Sequence, residues 1–450
     1  MYLNCFDDVK KLTTELVKIP SIVKTSGEAE CARKIHEFYC QLQYFKDHPE
    51  YLLLQQTQDD EIERHNVLAM VKGTKGSSNR TIILMGHLDT VGIDDFGTLK
   101  AHACDPEKLP ELLKELRLDE DVIGDIDSGE YMFGRGALDM KSGVAGHMWL
   151  IRYFSQHPEE LDGNIIAVSE CDEEDNGHGI ISALKVLKGW KKRHGLEYIA
   201  AINADYSTPY HEEDENRYVY FGTIGKLLPS FYVVGKETHV GQAYGGLDPN
   251  LLVAELTRLI DLNPDLCDEA QGEVTIPPIS LKQTDFKDTY TVQTAIAAYV
   301  YYNFFTHSMS PKEVMEVMKE KAIEAFDNIV KYTNESYKRF CQVAGHVYTE
   351  RPWKTRVFTW EEFYGQLAEE HGETFEKHLE QFIAQMHRDD PAMDLRDFSV
   401  RIVEEAWSWA KDKSPAIIVY YSSTMYTNLE MTGKTENERR LMDSVTASVK

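Results

Sequence analysis

Four short stretches of this sequence set histidine or carboxylate side chains where they could do metal chemistry. His87-Leu88-Asp89-Thr90 follows directly on the apolar residues 81–85. A strand end is where an α/β sheet presents ligand-binding groups, so His87 could ligate a metal while Asp89 orients it from behind. Taken singly, His-x-Asp after a strand also fits a capped turn. The stretch Gly134-Arg135-Gly136-Ala137-Leu138-Asp139-Met140-Lys141-Ser142-Gly143 imitates two phosphate-binding motifs and satisfies neither. A dinucleotide fingerprint needs glycine where Asp139 stands, and a P-loop needs it where Met140 precedes the Lys-Ser pair. What remains is an aspartate on a glycine-rich turn at a helix start, fit to be a ligand or a plain N-cap.

The third stretch is Asp172-Glu173-Glu174-Asp175, after the apolar residues 165–168. An acidic run is usually a solvated face. This one follows a buried-type strand and precedes Gly177 and Gly179, which makes a turn above a sheet. Adjacent side chains diverge there, so one glutamate could ligate a metal while the other carries a proton. Asp205 closes the run 198–202 in the same manner. Each position is ordinary alone; together they end successive strands of one sheet. Histidine and carboxylate donors without thiolates suit zinc, manganese or cobalt, and a shared carboxylate suits two divalent ions roughly 3.5–4 Å apart.

The elements that must position these residues alternate between helix and strand. Residues 7–17 and 28–42 have helical spacing, and 141–154 is the clearest helix between strands. Apolar runs at 51–54, 66–71, 81–85, 164–168 and 198–202 suit strands buried on both faces of a mostly parallel sheet. The fold class is therefore α/β, a three-layer sandwich around that sheet. After Asp205 the texture changes. Residues 218–223 and 226–234 alternate around Gly225 and predict a hairpin. A helix at 250–262, a strand at 294–305 and a helix opened by the capping box Ser310-Pro311-Lys312-Glu313 complete a small α+β unit. It reads as an insertion spanning 213–330, which leaves 1–212 and 331–450 as the catalytic domain. In the latter, helices are expected at 360–371 and 395–411. The strand 415–421 is expected to return to the first sheet, and a last helix to follow Thr435.

The formal net charge of −27 argues against nucleic acid or an anionic membrane surface as partner, because such partners recruit Lys/Arg patches. No window nears the ~20 apolar residues of a membrane span. The seven cysteines are scattered without a CxxC pair, so neither a disulfide framework nor a zinc knuckle is expected. The start of the chain lacks the apolar core of a signal peptide, and a reduced, cytoplasmic protein is the expectation.

The segments GHLDTV, GRGALDMKSG, DEE with its following glycines and the strand-end Asp205, in that order, resemble a zinc metallohydrolase superfamily. It comprises aminoacylases, acetylornithine deacetylase, succinyl-diaminopimelate desuccinylase and glutamate carboxypeptidase. The spacer GIDDFGTLKAHACDPEKLPELL and the segment TDFKDTYTVQT look most like its arginine-utilisation branch, that of RocB. The resemblance implies a phosphorylase/hydrolase-like catalytic domain with an inserted lid or dimerisation domain, and a possible homodimer through the latter. It implies that His87 and Asp205 hold one metal, that Asp139 bridges two, and that Glu174 holds the second. Glu173 would be the general base, supported by Asp89, and His239 the lid histidine that stabilises an oxyanion. A turn histidine is the plainer reading of His239.

Two departures stand out. Family members close the second metal site with a histidine near the C-terminus, and no histidine follows His387, so the C-terminal part of the catalytic domain is expected to be incomplete. The lid arginine that takes a substrate carboxylate is also missing; Asn303 and His307 occupy its region and become the substrate-side candidates. The expected function is hydrolysis of an amide in a peptide or N-acyl amino acid by metal-activated water. The alternative is a metal-binding homologue without catalysis.

Overall fold

The computed structural model describes residues 5–58, 60–211, 213–391, 393–423 and 425–449. They form two compact units, Met1–Val219 and Tyr220–Lys450. In the first, strands β1 (Leu52–Gln56), β2 (His65–Lys72), β3 (Arg80–His87), β4 (Asn164–Glu170) and β5 (Glu197–Asn203) lie in the order β1-β2-β4-β3-β5. β3 is parallel to β4 and β5, whereas β2 is antiparallel to both β1 and β4. Four of the five strands thus point one way. The five apolar runs of the sequence are these five strands.

The alternation of strand side chains explains why the runs are continuous rather than amphipathic. Val67, Ala69, Val71, Ile165 and Ala167 face one layer, packed against helices α1 (Phe6–Val17), α2 (Ser26–Cys40) and α3 (Ser142–Gln156). Leu68, Met70, Ile166 and Val168 face the other, packed against Ala183, Leu187 and Trp190 of α4 (His178–His194). α4 ends with Lys191, Lys192, Arg193 and His194 in its last turn and left-handed Gly195 behind them, the charges and the residue that a helix C-terminus favours. This is the expected three-layer sandwich.

The second unit is also a sheet covered on both faces. Its strands are β6 (Gly225–Leu227), β7 (Pro229–Val234), β8 (Ile279–Asp285), β9 (Ala297–Thr306), β10 (Val357–Thr359) and β11 (Ala416–Tyr421), in the order β8-β9-β7-β11-β10 with β6 paired to β9. Phe231, Val233, Ala298, Val300, Ile417 and Val419 pack under α5 (Pro249–Ile260) and α6 (Pro311–Ala344). Tyr232, Val234, Tyr299, Ile418 and Tyr420 pack under α7 (Trp360–His371), α8 (Glu373–Asp389) and α9 (Leu395–Trp409). The helix α10 (Glu436–Val449) closes the described chain and buries no residue.

Three expectations are corrected here. The runs 218–223 and 226–234 do not pair with each other. Gly222–Thr223 pairs with Leu429–Glu430, and β7 lies between β9 and β11. The division at residue 330 falls inside α6, a single helix opened by the expected Ser310 capping box and ended by left-handed Gly345. Finally, β11 does not return to the first sheet; it pairs antiparallel with β7, and residues 331–450 belong with the second unit. A strand buried on both faces carries the same apolar signature in either sheet, so its sequence could not say which one it joins. Among the described residues no helix is long and apolar enough to cross a membrane.

Candidate functional site

Because β3, β4 and β5 are parallel, their C-terminal ends share one edge, where an α/β sheet gathers ligand-binding residues. His87 ends β3, Glu173 and Glu174 lie in the loop after β4, and Asp205 follows β5. Asp139 arrives from the turn before α3. Gly143 makes that approach possible, since a Cβ there would stand 2.3 Å from the carbonyl oxygen of Ala204. The first turn of α3 therefore presses directly on the segment that carries Asp205.

His87 Nε2 lies 2.9 Å from Asp139 Oδ1 and 3.8 Å from Asp205 Oδ2. One ligand atom from each of these three residues falls within 4.8 Å of the others, a spacing that could hold a metal ion. The imidazole is 2% exposed, but the Asp139 and Asp205 side chains keep 40% and 33%, so the cluster is rigid behind and open in front. The other imidazole nitrogen, Nδ1, is 3.1 Å from the carbonyl oxygen of Asp89 and 3.8 Å from its Oδ1. That leaves Nε2 free for a ligand's role. Asp89 is fully buried, its Oδ2 accepts the Glu174 N–H at 3.1 Å, and its Oδ1 has no hydrogen-bond partner among the described residues. One buried aspartate thus links the His87 strand end to the Glu173–Glu174 loop.

The electrostatics favour a cation. Burial opposes charge on His87, yet Asp89, Glu173, Asp139 and Asp205 outweigh it and raise its pKa above the ordinary imidazole value. Burial raises Glu173, Glu174 and Asp205 above the usual carboxylate range, and the neighbouring carboxylates add to the shift. Carboxylates held together against their repulsion, with an orphaned buried oxygen behind them, form a donor set that fits a hard or borderline divalent ion.

Lys141, which gave the glycine-rich turn its resemblance to a P-loop, points the other way. It is fully buried, and its Nζ donates to the carbonyls of Leu16 at 3.1 Å and Ile19 at 2.7 Å, at the C-terminal end of α1. Burial pushes its pKa down. Its work is to fasten α1 to the Asp139 turn.

The remaining candidates belong to the second unit. His239 is exposed, and its Nδ1 accepts the Gly241 N–H at 3.0 Å, a cap of the turn 240–245. Asn303 lies on β9 opposite Ile279, with its Oδ1 buried and without a hydrogen-bond partner among the described residues. His307 donates its backbone N–H to Asp268 at 2.7 Å. His371, His378 and His387 sit on α7 and α8, where His371 meets the Trp409 carbonyl and His378 meets Glu405.

A group that sequence reasoning passed over lies behind the glutamate loop. Arg64 bonds Asp60 and Asp172, Glu28 accepts the Asp172 and Lys24 N–H groups, and Asp172 also holds His178. Burial raises Glu28 to about 8. The one available signal was Asp172 itself, the first member of the acidic run.

Residues 83–386 match the family model described as peptidase family M20/M25/M40. Protein RocB of Bacillus subtilis (strain 168) is 36% identical over 94% of this chain and 73% of its own length. The uncharacterized protein YqjN of the same strain is 33% identical over 93% and 75%. A succinyl-diaminopimelate desuccinylase of Cupriavidus pinatubonensis is 26% identical over 54% and 56%. The chain belongs to peptidase family M20/M25/M40, and its chemistry is that of a metal-dependent peptidase or amidohydrolase.

Proposed function

We propose that this protein hydrolyses an amide bond in an N-acyl amino acid or a peptide, with water activated at a pair of divalent metal ions, zinc in the first instance. The observation that carries the reading is the convergence of His87, Asp139 and Asp205 at one sheet edge, joined through Asp89 to the loop of Glu173 and Glu174. His87 and Asp205 would hold one ion, Asp139 would bridge, and Glu174 would hold the other. Such ions, when bound, lower the pKa of water and polarise a carbonyl. Glu173 takes the proton of the attacking water and returns it to the leaving amine, a task suited to a carboxylate raised above its usual range. Asp89 keeps the His87 tautomer and the Glu174 backbone in place. His239 keeps the role of oxyanion donor that the family resemblance assigns, and Asn303 and His307 remain the substrate-side assignments. A homodimer through the second unit and a cytoplasmic setting complete the proposal. The similarity to a succinyl-diaminopimelate desuccinylase supports an N-acyl amino acid as the substrate class to try first.

The test is Glu173→Gln. Turnover of an N-acyl amino acid panel should fall by on the order of 10²–10⁴-fold while bound zinc is unchanged. Full activity in that variant would remove Glu173 from the mechanism. The second reading is a metal-binding protein without catalysis. It expects zinc to bind and no member of the panel to turn over.

A further inference from the structure

We propose that Arg64 is a positioning residue: clamped by Asp60, its guanidinium grips Asp172 and so sets where Glu173 and Glu174 stand. This rests on the roles given to those two glutamates above.

The topology brings Arg64 to the right place. β2 is antiparallel to β4, with Val67 opposite Ser169, so the start of β2 lies beside the end of β4. Arg64 and Asn66, one pleat apart, therefore reach the loop from the same strand end. Asn66 accepts the Cys171 N–H at 3.2 Å and donates to the Gly179 carbonyl at 2.7 Å, which pins both ends of the loop. Gly179 must be glycine for this contact, because a Cβ would stand 2.1 Å from the Cys171 carbonyl oxygen.

Arg64 then acts on the loop's interior. Its Nε and Nη2 each meet an Asp60 oxygen at 2.9 Å, and its Nη1 bonds Asp172 Oδ1. The same Nη1 is 3.6 Å from Glu28 Oε2. All four side chains are 3% exposed or less. Asp172 has every polar atom engaged. Its Oδ2 accepts the His178 backbone N–H at 2.9 Å and meets His178 Nδ1 at 2.6 Å. Its carbonyl accepts the Gly177 N–H at 2.7 Å, and its own N–H donates to Glu28 at 3.0 Å. It holds φ +64, a left-handed conformation that a residue other than glycine keeps only where its surroundings hold it there.

A buried ion pair adds little net stability over an apolar replacement, so its consequence is the geometry it fixes. That geometry starts two residues before Glu174. Without the guanidinium, the Asp60 and Asp172 carboxylates lose the cation between them and repel each other, and Asp172 carries the glutamates with it.

The experiment compares the full chain with Arg64→Met, using zinc titration together with amide hydrogen exchange resolved to residues 171–178. Exchange should quicken in that loop alone, with β3 and β4 protected as before. Zinc at the Glu174 position should bind roughly 10- to 100-fold more weakly. Methylguanidinium should restore both in Arg64→Ala, whose short side chain leaves room for it, while Arg64→Lys should not restore them, because an ammonium lacks the planar fork that meets both Asp60 oxygens and reaches Asp172 at once. Unchanged loop exchange, or equal loosening across β3 and β4, would overturn the proposal. Should Arg64→Met fail to fold, Asp60→Asn removes the clamp instead. It should loosen the same loop and weaken zinc binding, and a loop as protected as in the wild type would again overturn the proposal. Zinc binding that survives Glu174→Gln would sink the ligand assignment. Loop loosening that methylguanidinium repairs would still support Arg64.

Discussion

The two units are built alike and equipped differently. Each is a sheet with helices on both faces and a core of aliphatic and aromatic side chains. In the first, three neighbouring parallel strands end together, so the residues that follow them meet at one edge. In the second, β7 runs antiparallel to both β9 and β11, and β8 antiparallel to β9, so the ends of these four strands alternate between opposite edges, and only β10 and β11 run parallel. Strand direction, more than composition, decides which sheet can assemble a ligand cluster. The polar interior follows the same division. Among the described residues, nine buried acidic or basic side chains lie in the first unit (Glu28, Arg64, His87, Asp89, Lys141, His147, Glu170, Asp172 and Asp214) and one, Asp268, in the second. Ionisable groups buried at such cost are what the proposed metal centre requires of the unit that holds it.

If that contrast is sound, the first unit should be the pH-sensitive one. His147 on α3 is buried, and burial depresses its pKa to about 4 from 6.5. The unfolded chain then binds a proton that the folded one refuses. Stability is fully present above pH 6.5 and falls as pH drops toward 4, by at most ~3 kcal/mol. Urea unfolding of wild type and His147→Leu at several pH values checks this. The variant should lose less stability over that window, and equal slopes would rule out His147 as the source.

Glycine substitutions sharpen the comparison further. Gly179→Ala forces a Cβ against the Cys171 backbone and Asn66 beneath the glutamate loop, and should destabilise by roughly 1–3 kcal/mol while weakening zinc binding. Gly365 on α7 of the second unit has open space where its Cβ would be. Gly365→Ala should stabilise by about 0.5–1 kcal/mol through helix propensity and leave zinc binding alone. Thermal melts with and without zinc separate the two. A zinc effect from Gly365→Ala would break the proposed division.

Much of the first unit was legible because its signals are local. An apolar run bounded by turn residues, with a histidine or carboxylate just past its end, implies both a strand and what the strand presents. That pattern points to His87, Asp205 and the Glu173–Glu174 loop from sequence alone, and the glycines of a turn point to Asp139. What escaped was non-local. The partner of β11 depends on which sheet has an open edge, and nothing in Ala416–Tyr421 encodes that. Arg64 was overlooked for the same reason. It lies 108 residues from Asp172, and only the antiparallel course of β2 brings them together. The helix α6 was foreseen at its capped start, but the division placed at residue 330 falls inside it, where no glycine or proline interrupts it before Gly345.

A metal centre at the shared edge of β3, β4 and β5 depends on His87, and zinc titration calorimetry of wild type against His87→Ala is the decisive measurement. Tight zinc binding is expected in the wild type, and the loss of at least one equivalent in the variant, with the fold retained by circular dichroism. Identical stoichiometry and affinity in the two proteins would contradict it.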